Sequence, residues 1–557
     1  MKSAKKLVSK ILLSTCAITT LAITPFINID PFAPPKMAIL GAASSALLIL
    51  LLFSNELIFK VKTNYIFLLL ILDLLLVYYF SGANKVEQFY GTVGRNFGLL
   101  TQLSLVVICV TSANYYSLEI TKNFKKLIII VGGINMAYGT IQLMGEDFVS
   151  NWTTTYANSA RGFFGNPNQY SSFTAIAALV SMSNILKKKR PVSEQLGSLS
   201  YVLIAFFHLY FSKSTQGPVV FGAGSLLLVL IFLKSNNYKK LNLQIYVVAS
   251  FTILVCAILD IFQKSPWKPF LYSSTVSTRG DYWRAGIDMG LSHPFFGVGL
   301  DKYLEWYRIS RDDLTFSRVY STEVADSAHN IFIDYFASGG FLLLGIFILL
   351  NFFVIRKVIK IIFNISDYDT SLVGLIIIYV GYLLQSLISP IHLGLAIWGW
   401  VSMGLILGVK LDDNIKVGPS KAKTINENVS FNPKFITMIT VSSCIGLLVS
   451  SLFMIQDMRF RSAIKQNSTA DRIYSSAYIW PKSGTRMAQA SWLLYRNDFK
   501  EKSLKIALDA VKYSPNNYGA WLVLYSRTDL YPELKVEVLK NISRLEPRSA
   551  GIILLNK

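Results

Sequence analysis

The chain has 557 residues, 52% of them hydrophobic and only 15% charged. A soluble domain carries about 25% charged residues, so this composition excludes an ordinary globular protein. The net charge of +22 would suit a nucleic-acid partner, but the lysines and arginines cluster in short stretches between apolar runs, as in the cytoplasmic loops of membrane proteins, which argues against nucleic acid.

The N-terminus carries Lys2, Lys5, Lys6 and Lys10 ahead of an apolar stretch from Ile11 to about Ile27. It resembles a signal peptide, but no small-x-small cleavage site follows, so it reads as a first span starting in the cytoplasm. Further apolar runs lie near 37–54, 64–81, 96–113, 127–144, 168–186, 198–212, 217–233, 243–262, 331–354, 371–389, 393–409 and 435–455. Each can cross a hydrocarbon core of about 30 Å, and in lipid such runs must be helices because the backbone has to satisfy its own polar groups. The expected fold class is therefore all-α, a polytopic helical membrane protein of about 13 spans. An odd count puts the termini on opposite sides. The intervening loops at 55–63, 114–126, 187–197, 234–242, 355–370 and 410–434 are basic, which fits a cytoplasmic N-terminus and a periplasmic C-terminus.

Two segments outside the apolar runs stand apart. Residues 263–330 form a long loop, external on this topology, with nearly balanced charge; loops of this length usually carry function. Residues 1–455 thus make a membrane domain, and 456–557 a tail of different character. In the tail Pro481, Pro515 and Pro547 are spaced 34 and 32 residues apart, with Trp492, Tyr495, Ala507, Trp521 and Tyr525 between them. A period near 34 with these landmarks suggests tetratricopeptide-like helix pairs, which would offer a docking face; an ordinary helical cap is the alternative. The cysteines Cys16, Cys109, Cys256 and Cys444 lie in apolar runs without paired spacing and read as small buried hydrophobes. Asp73 and Asp260 are intramembrane acids. Such residues suggest a transporter or flippase, but matching broken helices in two halves are missing, and Asp73 is expected to pair with a neighbouring helix.

Three segments carry candidate chemistry. The first is Arg161-Gly162-Phe163-Phe164-Gly165-Asn166-Pro167-Asn168-Gln169, a tight turn that would present Arg161, Asn166 and Asn168 at the membrane surface. A snorkelling arginine beside a structural turn is equally compatible. The second is Thr278-Arg279-Gly280-Asp281-Tyr282-Trp283-Arg284, followed by His293-Pro294-Phe295-Phe296-Gly297-Val298-Gly299. Arg279, Trp283 and Gly286 share one helix face by spacing. A guanidinium grips phosphate oxygens in a planar fork, while Arg284 has the alternative of pairing with Asp281 or Asp288. The third is Ser327-Ala328-His329-Asn330, where His329 can take or give a proton. Of the other histidines, His208 reads as packed, and His293 and His392 sit at turns.

These segments, in this order and at these positions relative to the spans, resemble the O-antigen ligase and polymerase superfamily of bacterial membrane proteins over about Gln88 to Gly408. Ser214-Thr215-Gln216-Gly217 stands where members often have a Ser-Arg-Gly turn, with Gln216 in place of the arginine. The resemblance implies glycosyl transfer at the outer leaflet, from an undecaprenyl-diphosphate-linked glycan to an acceptor hydroxyl. It also implies catalytic roles for Arg161, Arg279 and His329, with Asn166, Asn168, Gln216, Trp283, Arg284 and Asn330 as substrate-binding neighbours. No cofactor and no metal is implied, and Asp312, Asp313 and Asp326 show no ligand pattern. Ranked by acceptor, the readings are a ligase onto lipid A-core, then a polymerase onto another lipid-linked unit, then a transferase onto protein.

Overall fold

The computed structural model describes residues 2–53, 64–149, 158–187, 191–236, 244, 246–249, 274–319, 324–364, 368–410, 433–465, 468–528 and 531–548. Most of the run at 243–262, with Cys256 and Asp260, lies outside them.

Among the described residues the chain is helical without strands. The first half comprises α1 (Lys2–Leu21), α2 (Ala33–Leu52), α3 (Asn64–Phe80), the short α4 (Lys85–Tyr90), α5 (Leu99–Asn114), α6 (Leu118–Leu143), α7 (Pro167–Ile185), α8 (Val192–Phe211) and α9 (Gln216–Ser235). The described part of the long loop is largely helical: α10 (Ser274–Ser292), α11 (Tyr303–Ser310) and α12 (Asp313–Val319). Then come α13 (Ile331–Asn364), α14 (Thr370–Ser386), α15 (Leu393–Gly408) and α16 (Pro433–Ala463). The tail holds α17 (Ala470–Ser476), α18 (Gly484–Arg496), α19 (Lys500–Tyr513), α20 (Tyr518–Tyr525) and α21 (Lys535–Leu545).

The protein is a polytopic helical membrane protein. α2, α6, α9, α13 and α16 are each long and apolar enough to cross a membrane, and α3, α5, α14 and α15 are shorter apolar helices. Their outer faces are greasy: Leu68, Leu69 and Leu72 of α3, Leu203 and Phe207 of α8, Phe352 of α13 and Leu448 of α16 are all exposed. Water does not tolerate so much contiguous apolar surface, whereas lipid does. Helix association in lipid relies on close packing. Small residues supply it along the α2–α16 seam, where Ser442, Ser443 and Ser450 donate to the carbonyls of Ser45, Ala42 and Ala38. There Gly41 has no room for a side chain, because a Cβ would stand 2.4 Å from the Ser450 hydroxyl.

Two expectations about single residues need correction. Cys444 is exposed on α16 rather than buried, since it faces away from the seam, while Cys16 and Cys109 are buried. Asp73 is buried, yet neither carboxylate oxygen has a hydrogen-bond partner among the described residues. The helices packed on that face, α13 and α5, bring apolar residues to it.

The motif segments explain part of the fold. With a positive φ of 71°, Gly340 breaks α13 directly after the Ala337-Ser338-Gly339 run. The opening receives the 293–299 turn: Val298 and Gly299 donate to the carbonyls of Ala337 and Ser338 at 2.8 and 3.1 Å, and Phe341 donates to Pro294 at 2.8 Å. A side chain at 340 would meet the Pro294 carbonyl oxygen at 2.2 Å, so only glycine lets the two segments interlock. This clip fixes α10, which precedes the turn, against the start of α13.

The tail has its own core, in which Met487, Leu494, Ile506, Ala510, Trp521, Val538 and Ile542 are buried, with α18 packed on α19 and α20 on α21. Charged contacts fasten it to the membrane domain. Glu546 pairs with Arg311 and, at 2.9 Å, with Arg308. Arg548 meets Asp313 at 2.7 Å. Glu87 of α4 pairs with Lys302 and accepts from the Gly484 backbone N–H and the Ser514 hydroxyl, each at 2.9 Å. Arg486 pairs with Asp457 of α16, which also accepts from the Ile29 N–H at 2.7 Å.

Candidate functional site

Helix direction gathers the candidate residues at one end of the bundle. The C-terminal ends of α6, α8 and α14 and the N-terminal ends of α7, α9, α13 and α15 meet there, together with α10 and the tail. The hub is the loop 387–392 between α14 and α15. Arg279 Nε donates to the Ile388 carbonyl at 2.8 Å, and Gln216 Nε2 reaches the same oxygen at 3.3 Å. Gln169 donates to Ser389 Oγ and to the Pro390 carbonyl at 3.0 and 2.8 Å. His392 caps α15 through the Gly394 N–H, and its ring lies 5.1 Å from that of Phe164.

Arg279 and His329 are brought together. α10 places Arg279 and Tyr282 one turn apart, and the Tyr282 ring lies 5.2 Å from the His329 imidazole. His329 is held with φ at 55°, in the left-handed region, a strained conformation for a residue with a side chain. Ser327 Oγ accepts from the His329 N–H at 3.2 Å, and Asp334 Oδ1 accepts from the Ala328 N–H at 2.7 Å. Asn330 closes the turn as the cap of α13, accepting from the Phe332 N–H at 3.0 Å. The imidazole Nδ1 is buried and has no hydrogen-bond partner among the described residues. Burial pushes the His329 pKa down to about 4; Asp326 works against that shift, and Arg279 and Arg95 reinforce it. Burial also lowers the Arg279 guanidinium below its usual value, with Tyr282 opposing. The pair is thus a desolvated guanidinium, suited to hold an anion, beside an imidazole that is unprotonated at neutral pH and can take up a proton, as a weak base.

Arg161 makes its contacts toward α6. Its guanidinium meets Asp147 at 2.5 Å, and both side chains are buried. Asp147 in turn accepts from Tyr138 at 2.7 Å, and Gln142 Oε1 accepts the Arg161 and Gly162 N–H groups at 2.9 and 2.8 Å. The turn that carries Arg161 reaches the hub through Phe164 and Gln169.

The predicted neighbours divide. Asn166 caps α7, accepting from the Asn168 N–H at 2.8 Å, with Pro167 at the first helical position. Asn168 accepts from Ser214 at 2.7 Å, which ties the 161–170 turn to the start of α9. Gln216 stays buried at the hub, and its Oε1 has no partner among the described residues. Trp283 packs with the Tyr303–Tyr307 cluster. Arg284, the more exposed, pairs with Asp281 and, at 2.6 Å, with Asp312.

Sequence reasoning missed several participants. Arg95, in the 91–98 loop, is buried, pairs with Asp301 at 3.3 Å and donates to the Asp326 carbonyl. A recess beside it is lined by Gln102, Asp301, Tyr303, Asp334 and Ile391. Arg95, Asp147 and the 387–392 loop sit outside the recognisable motifs, and only their positions between spans hinted at a role. Among the described residues no three His, Cys, Asp or Glu side chains are placed to hold a metal ion.

Comparison with curated proteins gives no match. Residues 200–348 match the model of the family described as O-antigen ligase. The match spans Gln216, Arg279, Arg284 and His329, and it supports ligase- or polymerase-type glycosyl transfer, with a lipid-linked glycan and an acceptor as partners, at the inner membrane. The segment that joins the buried arginine of α10 to the histidine turn is thus similar to the O-antigen ligase family.

Proposed function

We propose that the protein is an O-antigen ligase-type glycosyltransferase that moves a glycan from an undecaprenyl-diphosphate donor to lipid A-core at the outer face of the inner membrane. The observation that carries this reading is the meeting of Arg279 and His329 beside the 387–392 loop, within the stretch that matches the family. Orientation follows from charge: Lys122, Lys187, Lys234, Lys360, Lys410 and Lys434 lie at or near the helix ends opposite the site, and the lysine-rich end belongs in the cytoplasm.

In this mechanism the acceptor hydroxyl attacks the anomeric carbon and the bond to the diphosphate breaks. Negative charge grows on the departing phosphate, and Arg279, joined by Arg161, stabilises it. Fixed positive groups in a water-poor site act strongly on such charge. His329, neutral in the resting site, takes the acceptor's proton. The tail, read as tetratricopeptide-like pairs, forms a periplasmic wall over the loop helices.

The test is transfer by the purified protein in nanodiscs, given a lipid-diphosphate glycan and separate acceptors. Product on lipid A-core supports the ligase. Product only on a second lipid-linked unit would make the protein a polymerase, and no transfer to any acceptor would overturn the reading.

A further inference from the structure

We propose that Arg95, clamped to Asp301, is a positioning residue for His329: it holds the carbonyl of Asp326 and so fixes the turn that presents the imidazole. The inference rests on the reading of His329 as the proton acceptor.

Several observations converge on it. Arg95 is only 9% exposed although it carries a full charge, and burying a guanidinium is costly unless it is paired and hydrogen-bonded. Both conditions hold, through Asp301 and through the Asp326 carbonyl three residues before His329. Burial pulls the Arg95 proton affinity down, but Asp301, with Asp326 and Asp334, more than offsets this and holds it above the ordinary value. Asp301 is anchored in turn by the Thr92 and Phe97 N–H groups at 2.7 and 3.1 Å. Arg95 therefore joins a rigid corner, made by the 91–98 loop around Asp301, to a turn that is strained and needs outside support. The groups facing the imidazole are Arg279 and Tyr282 of α10, Asp326 of its own turn, and Arg95. Arg95 thus supplies one of the two positive charges that oppose protonation of His329.

The test uses the full chain in nanodiscs with histidine labelled for NMR; His329→Gln identifies the His329 signal among the four histidines. In Arg95→Gln the His329 titration midpoint should rise by about one pH unit, and the acid limb of the transfer rate should move with it. An unchanged midpoint in folded Arg95→Gln protein overturns the proposal. Arg95→Lys keeps the charge but not the planar fork, and it serves even where the glutamine variant does not fold. It should lower kcat about tenfold with KM for the donor unchanged, because a misplaced base costs rate rather than binding; a wild-type kcat overturns the positioning role. Full activity of His329→Gln would instead remove His329 from the mechanism, while the titration arm still reports whether Arg95 governs its environment.

Discussion

Arg279 of α10 and Gln216 of α9 donate to one and the same oxygen, the Ile388 carbonyl, at 2.8 and 3.3 Å. Two helices are thereby registered on a single loop atom, and Arg279 takes part of its aim from a main-chain group.

Arg279→Ala should lower transfer by about 10²- to 10³-fold, the usual cost of losing one fixed group that stabilises transition-state charge. Initial rates with a defined lipid-linked donor check this; a loss below threefold would remove Arg279 from the chemistry.

Gln216→Ala should cost about 1 kcal/mol of stability, the typical worth of one hydrogen bond, and reduce transfer less than Arg279→Ala does. Thermal unfolding in detergent, run beside the same rate assay, reads both effects.

Asp147→Asn tests the support of Arg161. The pair is buried on both sides, and removing one charge from such a pair leaves the other uncompensated at about 3–5 kcal/mol. The variant should be less stable than wild type, and Asp147→Asn with Arg161→Gln together should recover part of the loss in a double-mutant cycle.

His329 has a folded pKa of about 4, below its ordinary value. Between roughly pH 6.5 and 4 the unfolded chain binds a proton at this site and the native protein does not, so this site lowers stability as the medium becomes more acidic across that window. At higher pH both states are neutral and the contribution vanishes. The melting temperature of His329→Gln should therefore fall less steeply than that of wild type between pH 6.5 and 4. Identical slopes would mean that the imidazole is not buried in its neutral form.

Much of the architecture was legible because lipid permits few solutions: long apolar runs must be helices. α10 was legible in part, from the spacing of Arg279, Trp283 and Gly286. The interlock of Gly340 with the 293–299 turn ties the second motif segment to the helix that follows the third, a contact of which periodicity alone gives no sign. Arg95 and Asp301 escaped because their partners are 200 residues or more away in sequence, with the pair held by main-chain groups such as the Thr92 N–H. Asp147 escaped because an acid just past a span looks like any solvated loop residue. Asn330 and Asn166 were read for substrate, and the structure gives each a helix to cap.

The clamp of Glu546 on Arg311 has a consequence for biosynthesis. The two residues are 235 positions apart, and at about 5–20 residues per second of translation the arginine waits roughly ten to fifty seconds for its counter-ion. Until then Arg311, at the C-terminal end of α11, lacks this contact. The contact between the tail and the loop helices therefore forms late, after α16 has been made, and a nascent chain without its last residues lacks this clamp.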